Sequence, residues 1–331
     1  MARCRVDPAI ERQTVEGFSF ALGTYPVEAM TPRPGYSVDF EPADGDNDGT
    51  DWEEWPDRYM FDIVISAERL EPLLRSLIGL FPGRVYPILD VLGQDAYREV
   101  DPYIAYELVG LDRFTDAIRR YRGFFFEDGM LGFGLMTEEP FLYVFVDEHK
   151  IVTVRAEPET KEKIERILRA FDLEQIEEPA GADAVSHEHR TVLVTEEGRT
   201  DLLNLDEIVE YLRDDWRLTL NIDPESNVDD EGKDLGVTAW RCLVRCVVAD
   251  EPRARYAEVV LAAGSLREAE ELTHDAAEEL RPETIVEWEE SVVVQADRVD
   301  EVGLAEISKT IELKNTKKPL EPGIMWKAWL E

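Results

Sequence analysis

Residues 124–136, FFFEDGMLGFGLM, and residues 141–155, FLYVFVDEHKIVTVR, decide the class of fold. In each stretch two apolar runs flank a short polar break, Glu-Asp-Gly at 127–129 and Asp-Glu-His-Lys at 147–150. Apolar and polar side chains alternate through the second stretch, the period of a strand with one buried face. Asp-Gly supplies the positive φ that a tight hairpin turn requires, so both stretches are expected to be hairpins and their four segments an antiparallel meander.

Helical stripes bracket these strands. Leu70, Leu73, Leu74, Leu77, Ile78 and Phe81 recur at three- and four-residue steps until Pro82 and Gly83 stop them. Phe114, Ala117, Ile118 and Tyr121 make a second stripe, with Asp112 expected as its N-cap, and Ile164, Ile167, Leu168 and Phe171 a third. Strands are expected at 59–65, 85–91 and 103–109. Beyond an acidic stretch at 174–189, the pattern resumes with strands at 191–195, 217–222, 239–248, 255–262 and 284–296. Two helices interleave with them, each opened by a capping-box spacing, Asn204 with Glu207 and Ser265 with Glu268.

Strand, helix, several strands, helix is the order in both halves, which implies an α+β fold of two domains. Each is expected to be a mainly antiparallel sheet with helices on one face, in a ferredoxin-like arrangement. The expected boundaries are an irregular acidic lead-in at 1–57, a first domain at 58–173, a linker at 174–189, a second domain at 190–312 and a basic tail at 313–331.

Carboxylates outnumber cationic side chains by 73 to 36, a formal charge of −37, so negative potential is expected over most of the surface. That field disfavours nucleic acid and anionic membranes as direct partners and favours a basic protein or a cation. Its plainer consequence is solubility. No run of about 18 apolar residues is present to span a bilayer, and residues 1–13 carry Arg3, Arg5, Asp7, Glu11 and Arg12 in place of a signal sequence. Three cysteines, Cys4, Cys242 and Cys246, cannot make a disulfide framework, and a reducing cytoplasm is the expected compartment.

Candidate sites are few. Asp44, Asp46 and Asp48 followed by Gly49 match the first half of a calcium loop, since hard oxygen ligands at alternate positions can wrap a cation. Trp55 stands where that loop needs its bidentate glutamate, which leaves a solvated acidic loop as the competing reading. Asp229, Asp230 and Asp234 form a second acidic loop open to a divalent ion. His187 and His189 lack the third and fourth ligands of a zinc site in sequence; with His149 in a turn and His274 on a helix, all four read as surface histidines. Arg241, Arg245, Arg253 and Arg255 are expected on one strand pair, to hold an anion or to pair with the chain's own acids.

The tail carries Lys309, Lys314, Lys317, Lys318 and Lys327 together with Trp326 and Trp329. It is expected either to fold back onto the acidic body or to dock a second subunit or partner through Trp326, Trp329, Lys317 and Lys318. Walker A, Gly-x-Ser-x-Gly and His-Glu-x-x-His motifs are absent, and no cofactor is expected beyond Ca2+ or another divalent cation. The sequence thus favours a non-enzymatic acidic protein that engages a basic partner. Its rivals are a divalent-metal-dependent enzyme using acidic loops and a structural subunit of a larger assembly.

Overall fold

Leu131, Phe133 and Leu135, Leu142, Val144 and Val146, and Val152, Val154 and Ala156 are all buried, because every second residue of a strand faces the same side. In the computed structural model, which describes residues 4–43, 55–195, 199, 201–248, 254–315, 317 and 319–330, the chain forms two compact units. The first comprises Met1–Leu92 and Pro102–Asn221, the second Gly93–Asp101 and Ile222–Glu331.

The first unit contains β1 (Thr24–Pro26), β2 (Gly35–Glu41), β3 (Arg58–Val64), α1 (Ala67–Ile78), β4 (Arg84–Leu92) and, from Pro102 onward, β5 (Val100–Ala105). It continues with α2 (Leu111–Arg120), α3 (Arg122–Glu127), β6 (Leu131–Thr137), β7 (Leu142–Val146) and β8 (Val152–Ala156). It ends with α4 (Lys161–Ala170), β9 (His187–His189), α5 (Leu205–Trp216) and β10 (Leu218–Leu220). The large sheet runs in the order β10-β5-β4-β6-β7-β8-β3-β2, with Val109–Gly110 as a short extra strand on β4. The meander β6-β7-β8 is antiparallel, Val144 facing Leu135 on one side and Val154 on the other. β1 and β9 form a separate antiparallel pair, His189 opposite Thr24.

One apolar core joins this sheet to its helices: Leu70, Leu73 and Leu77 of α1, Phe114 of α2, Ile164 of α4, and Ile208 and Trp216 of α5. The capping box expected at Asn204 is complete, with Asn204 Oδ1 accepting from the Glu207 amide and Glu207 Oε2 accepting from the Asn204 amide, both at 2.8 Å. A cap of this kind stabilises a helix by about 1 kcal/mol.

The α+β class is as expected, with several antiparallel pairings and interspersed helices. A ferredoxin-like arrangement in each half is not what the strand order shows. β2 comes from the expected lead-in and β10 from beyond the expected linker, yet both are edge strands of the same large sheet. The expected hairpin at 124–136 is half right. Phe124, Phe125 and Phe126 are all buried, as three consecutive residues of a helix enclosed on every side can be, and they form α3 in place of a strand. α2 is capped at Gly110, with Asp112 inside its first turn. Residues 191–195 form no strand; a single bridge joins Leu193 to Val6.

The second unit is a four-stranded antiparallel sheet flanked by two helices. Its elements are β11 (Thr238–Val247), β12 (Arg255–Ala263), α6 (Leu266–Leu280), β13 (Glu290–Val299), α7 (Glu301–Thr310) and β14 (Gly323–Trp329), in the sheet order β13-β11-β12-β14. Ala277 of α6 packs with Val244, Cys246 and Ala257, while Leu304 and Ile307 of α7 pack with Val260, Ala262 and Met325. Cys242 and Cys246 are buried free thiols, and burial pushes the Cys242 pKa up to about 12. The segment Gly93–Asp101 is held by a buried ion pair: Arg298 donates from its backbone amide to Asp95 Oδ2 at 2.8 Å and from Nε to Oδ1 at 3.0 Å.

Candidate metal centre

The site begins with the turn between β7 and β8. The Lys150 amide donates to Asp147 O at 3.0 Å, the Ile151 amide donates to Asp147 Oδ1 at 2.8 Å, and Lys150 takes a left-handed φ of 66°. This is a short hairpin loop closed by a left-handed residue, and it projects His149 from the end of the sheet. Lys150 is committed to the fold: its Nζ is buried and donates to Leu131 O at 2.8 Å. Burial lowers its pKa to about 8, against the pull of Asp128, Asp147, Glu148 and Glu127.

The opposite wall is β9. Residues 174–189, expected as a linker, carry β9 and its pairing with β1, and alternation along that strand sends His187 and His189 to one side and Glu188 to the other. Glu188 accepts a hydrogen bond from Tyr25 Oη at 2.6 Å. Two glycines let this layer come close. A Cβ on Gly129 would meet Gly23 O at 2.0 Å, and one on Gly23 would meet the Gly129 amide at 2.1 Å. Gly129 is therefore required for space and not for the positive φ that its Asp-Gly context suggested, since its φ lies outside the left-handed region.

Three of the chain's four histidines converge here. His149 Nε2 and His187 Nε2 are 2.9 Å apart, and ring centroids are separated by 4.6 Å for His149–His187, 4.9 Å for His149–His189 and 5.0 Å for His187–His189. One ring nitrogen from each lies within 4.8 Å of the other two. Each ring is oriented through Nδ1. His187 Nδ1 lies 2.8 Å from Val185 O and His189 Nδ1 2.9 Å from Gly129 O; a carbonyl only accepts, so both nitrogens carry protons. His149 Nδ1 lies 3.4 Å from both Asp147 Oδ2 and Glu148 Oε1.

Protons on Nδ1 of His187 and His189 leave the Nε2 of those two neutral rings as lone-pair donors, while Nε2 of His149 donates or accepts according to its tautomer. The 2.9 Å approach of His149 Nε2 to His187 Nε2 is met by one proton between the two nitrogens, and replacing that proton with a metal ion would use both as ligands. Electrostatics divides the rings. Burial opposes charge on His149, but Asp147, Glu148 and Asp183 together raise its pKa above the ordinary value. Burial lowers His189 to about 4, reinforced by His149, His187 and Lys150, so it stays a neutral donor at physiological pH.

These residues fit a transition metal. Imidazole suits zinc, copper, nickel and iron, whereas calcium and magnesium take oxygen ligands. Metal-binding histidines as a rule donate their second ring N–H to a carboxylate or a backbone carbonyl, and all three rings here have such an acceptor in place. Two nitrogens held tetrahedrally at about 2.0–2.1 Å from one zinc would stand roughly 3.3 Å apart, so the His149–His187 pair would open by a few tenths of an ångström on loading. Asp147, Glu148 and His149 also form a cluster within 4.8 Å. It approaches His149 from the Nδ1 side, and orienting that ring accounts for it.

The sites expected from sequence fall elsewhere. Asp44, Asp46 and Asp48, Arg253 and Lys318 lie outside the described residues. Asp229 Oδ1 accepts from the amides of Glu231 and Lys233, Asp230 Oδ2 from that of Glu99 and Asp234 Oδ1 from that of Gly236, which is the work of loop carboxylates. Arg241 pairs with Glu258 and Arg245 with Glu290, the self-pairing already weighed against an anion site, while Arg255 begins β12. Trp326 and Trp329 belong to β14; Trp329 Nε1 donates to Leu280 O at 3.1 Å, Lys327 pairs with Glu279 and Lys317 is exposed.

Nothing in the sequence places His149 near His187 and His189, and all read there as surface histidines; the structure brings these three together. The turn at 147–150 had been recognised, and so had the His-x-His pair; what sequence could not supply is the pairing of β9 with β1, which carries the pair to the turn. No family model, no curated protein and no solved structure matches the chain, so the reading of this centre rests on its own geometry.

Proposed function

We propose that this chain is a divalent-metal-dependent protein of the enzyme class, with a zinc-like transition metal bound by His149, His187 and His189. The reading keeps the metal-dependent alternative drawn from sequence but moves the ligands from the acidic loops to the histidines. The observation that carries it is the 2.9 Å approach of His149 Nε2 to His187 Nε2, with Nδ1 of His187 and His189 bonded to carbonyls and Nδ1 of His149 3.4 Å from two carboxylates. A bound zinc would lower the pKa of a coordinated water and polarise a carbonyl held beside it. The competing reading, an acidic surface for a basic partner, is supported by the formal charge of −37 alone.

Calorimetric titration of the full chain with zinc, cobalt, calcium and magnesium tests the proposal. One equivalent of zinc or cobalt should bind, and calcium and magnesium should give no heat at this centre. Absence of zinc and cobalt heat, or heat that survives replacement of His187 by alanine, would refute it.

A further inference from the structure

Three protein ligands leave a coordination position to fill. Structural zinc centres close four positions with side chains, whereas catalytic centres hold three and leave the fourth to water or substrate. Among the described residues, the group of His, Cys, Asp and Glu atoms that converges with His187 and His189 ends with the third imidazole, His149. Asp147 and Glu148 stand on the far, Nδ1 side of His149. Lys150 is also withheld, its Nζ donated to Leu131 O in the interior. The rings themselves are half-buried and not sealed, with 19% of the His149 side chain exposed.

The surroundings select the ligand's charge. Asp147 and Glu148 lie 3.4 Å from the His149 ring, and Asp183 adds its negative charge to the field on the same ring. Two cations stand against these carboxylates: Lys150, whose charge acts on His189, and Arg190, which lies over the Tyr25 ring with its Nε donated to Leu22 O. Three carboxylates, Asp147, Glu148 and Asp183, thus act on the His149 ring, and their field opposes an incoming anion.

We infer that the His149–His187–His189 centre keeps an open fourth position, which holds water at rest and exchanges it for a small uncharged nitrogen or carbonyl-oxygen donor in preference to an anion such as phosphate. The inference rests on the metal reading, and its test separates the two. The full chain is loaded with cobalt(II), freed of excess metal by gel filtration, and titrated with imidazole or with inorganic phosphate while the visible ligand-field spectrum and the retained cobalt are followed.

Imidazole should shift the spectrum saturably with cobalt retained, and phosphate should need at least tenfold higher concentration for any response. A retained cobalt whose spectrum ignores imidazole would show a closed site, and phosphate binding as tightly as imidazole would show the wrong ligand class; either overturns the inference and leaves the metal reading standing. A cobalt spectrum unchanged in His187→Ala would overturn both. Glu148→Gln combined with Asp183→Asn should narrow the gap between imidazole and phosphate, and an unchanged gap contradicts the charge argument.

Discussion

His149 and His187, 38 residues apart in the chain, bring their Nε2 atoms to 2.9 Å. One stands on a hairpin turn at the end of the large sheet, the other on a three-residue strand paired with Thr24–Pro26. Replacing either ring removes a ligand and should weaken zinc binding by at least a hundredfold. His187→Gln and His149→Gln, compared by competition with a chromophoric chelator, check this. Neither side chain is fully buried, so folding should be retained.

Asp147 acts through His149. Its Oδ2 faces the ring Nδ1 at 3.4 Å and its Oδ1 accepts the Ile151 amide at 2.8 Å. Asp147→Asn keeps an oxygen for that amide but loses the charge that orients the ring, so zinc affinity should fall about tenfold, the lower end for second-sphere partners, since Glu148 remains. The melting temperature of the metal-free protein should stay within about 2 °C of the parent.

Gly129 and Gly83 offer a contrast between crowded and open positions. A Cβ at Gly129 would lie 2.0 Å from Gly23 O, backbone against backbone, while one at Gly83 meets nothing within 4 Å. Gly129→Ala should destabilise by about 3 kcal/mol and displace the carbonyl that orients His189; Gly83→Ala should be close to neutral. Urea denaturation of the two variants measures the difference.

Asp90 on β4 is half-buried, and burial, with Glu148 adding, raises its pKa from 3.8 to about 7. Its folded pKa exceeds the unfolded one, so the native state binds the extra proton between those values and stability falls as pH rises from about 4 to 7. Asp90→Asn removes that penalty. Partial exposure screens it, and the variant should gain roughly 1–3 kcal/mol at pH 8 and little at pH 4. Equal gains at both pH values in chemical denaturation would contradict the assignment.

Asp95 carries the largest stability effect expected in the second unit. Its side chain is fully buried against Arg298, which also donates to Asn227 Oδ1 at 3.2 Å. Asp95→Ala strands a buried guanidinium, so a loss of about 3–5 kcal/mol is expected in calorimetric unfolding.

Local periodicity made much of this legible in advance. The alternation in 141–155 gave β7 and β8, the stripe from Leu70 to Ile78 gave α1, and Asn204 with Glu207 gave the cap of α5. Phe124, Phe125 and Phe126 were misleading because three adjacent aromatics fit a buried strand and an enclosed helix equally well. The sheet order was beyond reach for another reason: β10 joins through a pairing with β5 that is distant in sequence, and no local pattern encodes register; β2 pairs with the next strand in the chain but lies in a stretch that reads as irregular. His149 belongs to that second kind. Its neighbours Asp147 and Glu148 were visible as a turn, but a ligand set assembled from two chain segments has no spacing to find.

Zinc stoichiometry by equilibrium dialysis and elemental analysis, on the parent and on the triple variant His149→Gln, His187→Gln, His189→Gln, tests the centre most directly. One zinc per chain is expected on the parent and none on the variant at the same free concentration. Zinc retained equally by both, or by neither, would contradict the account.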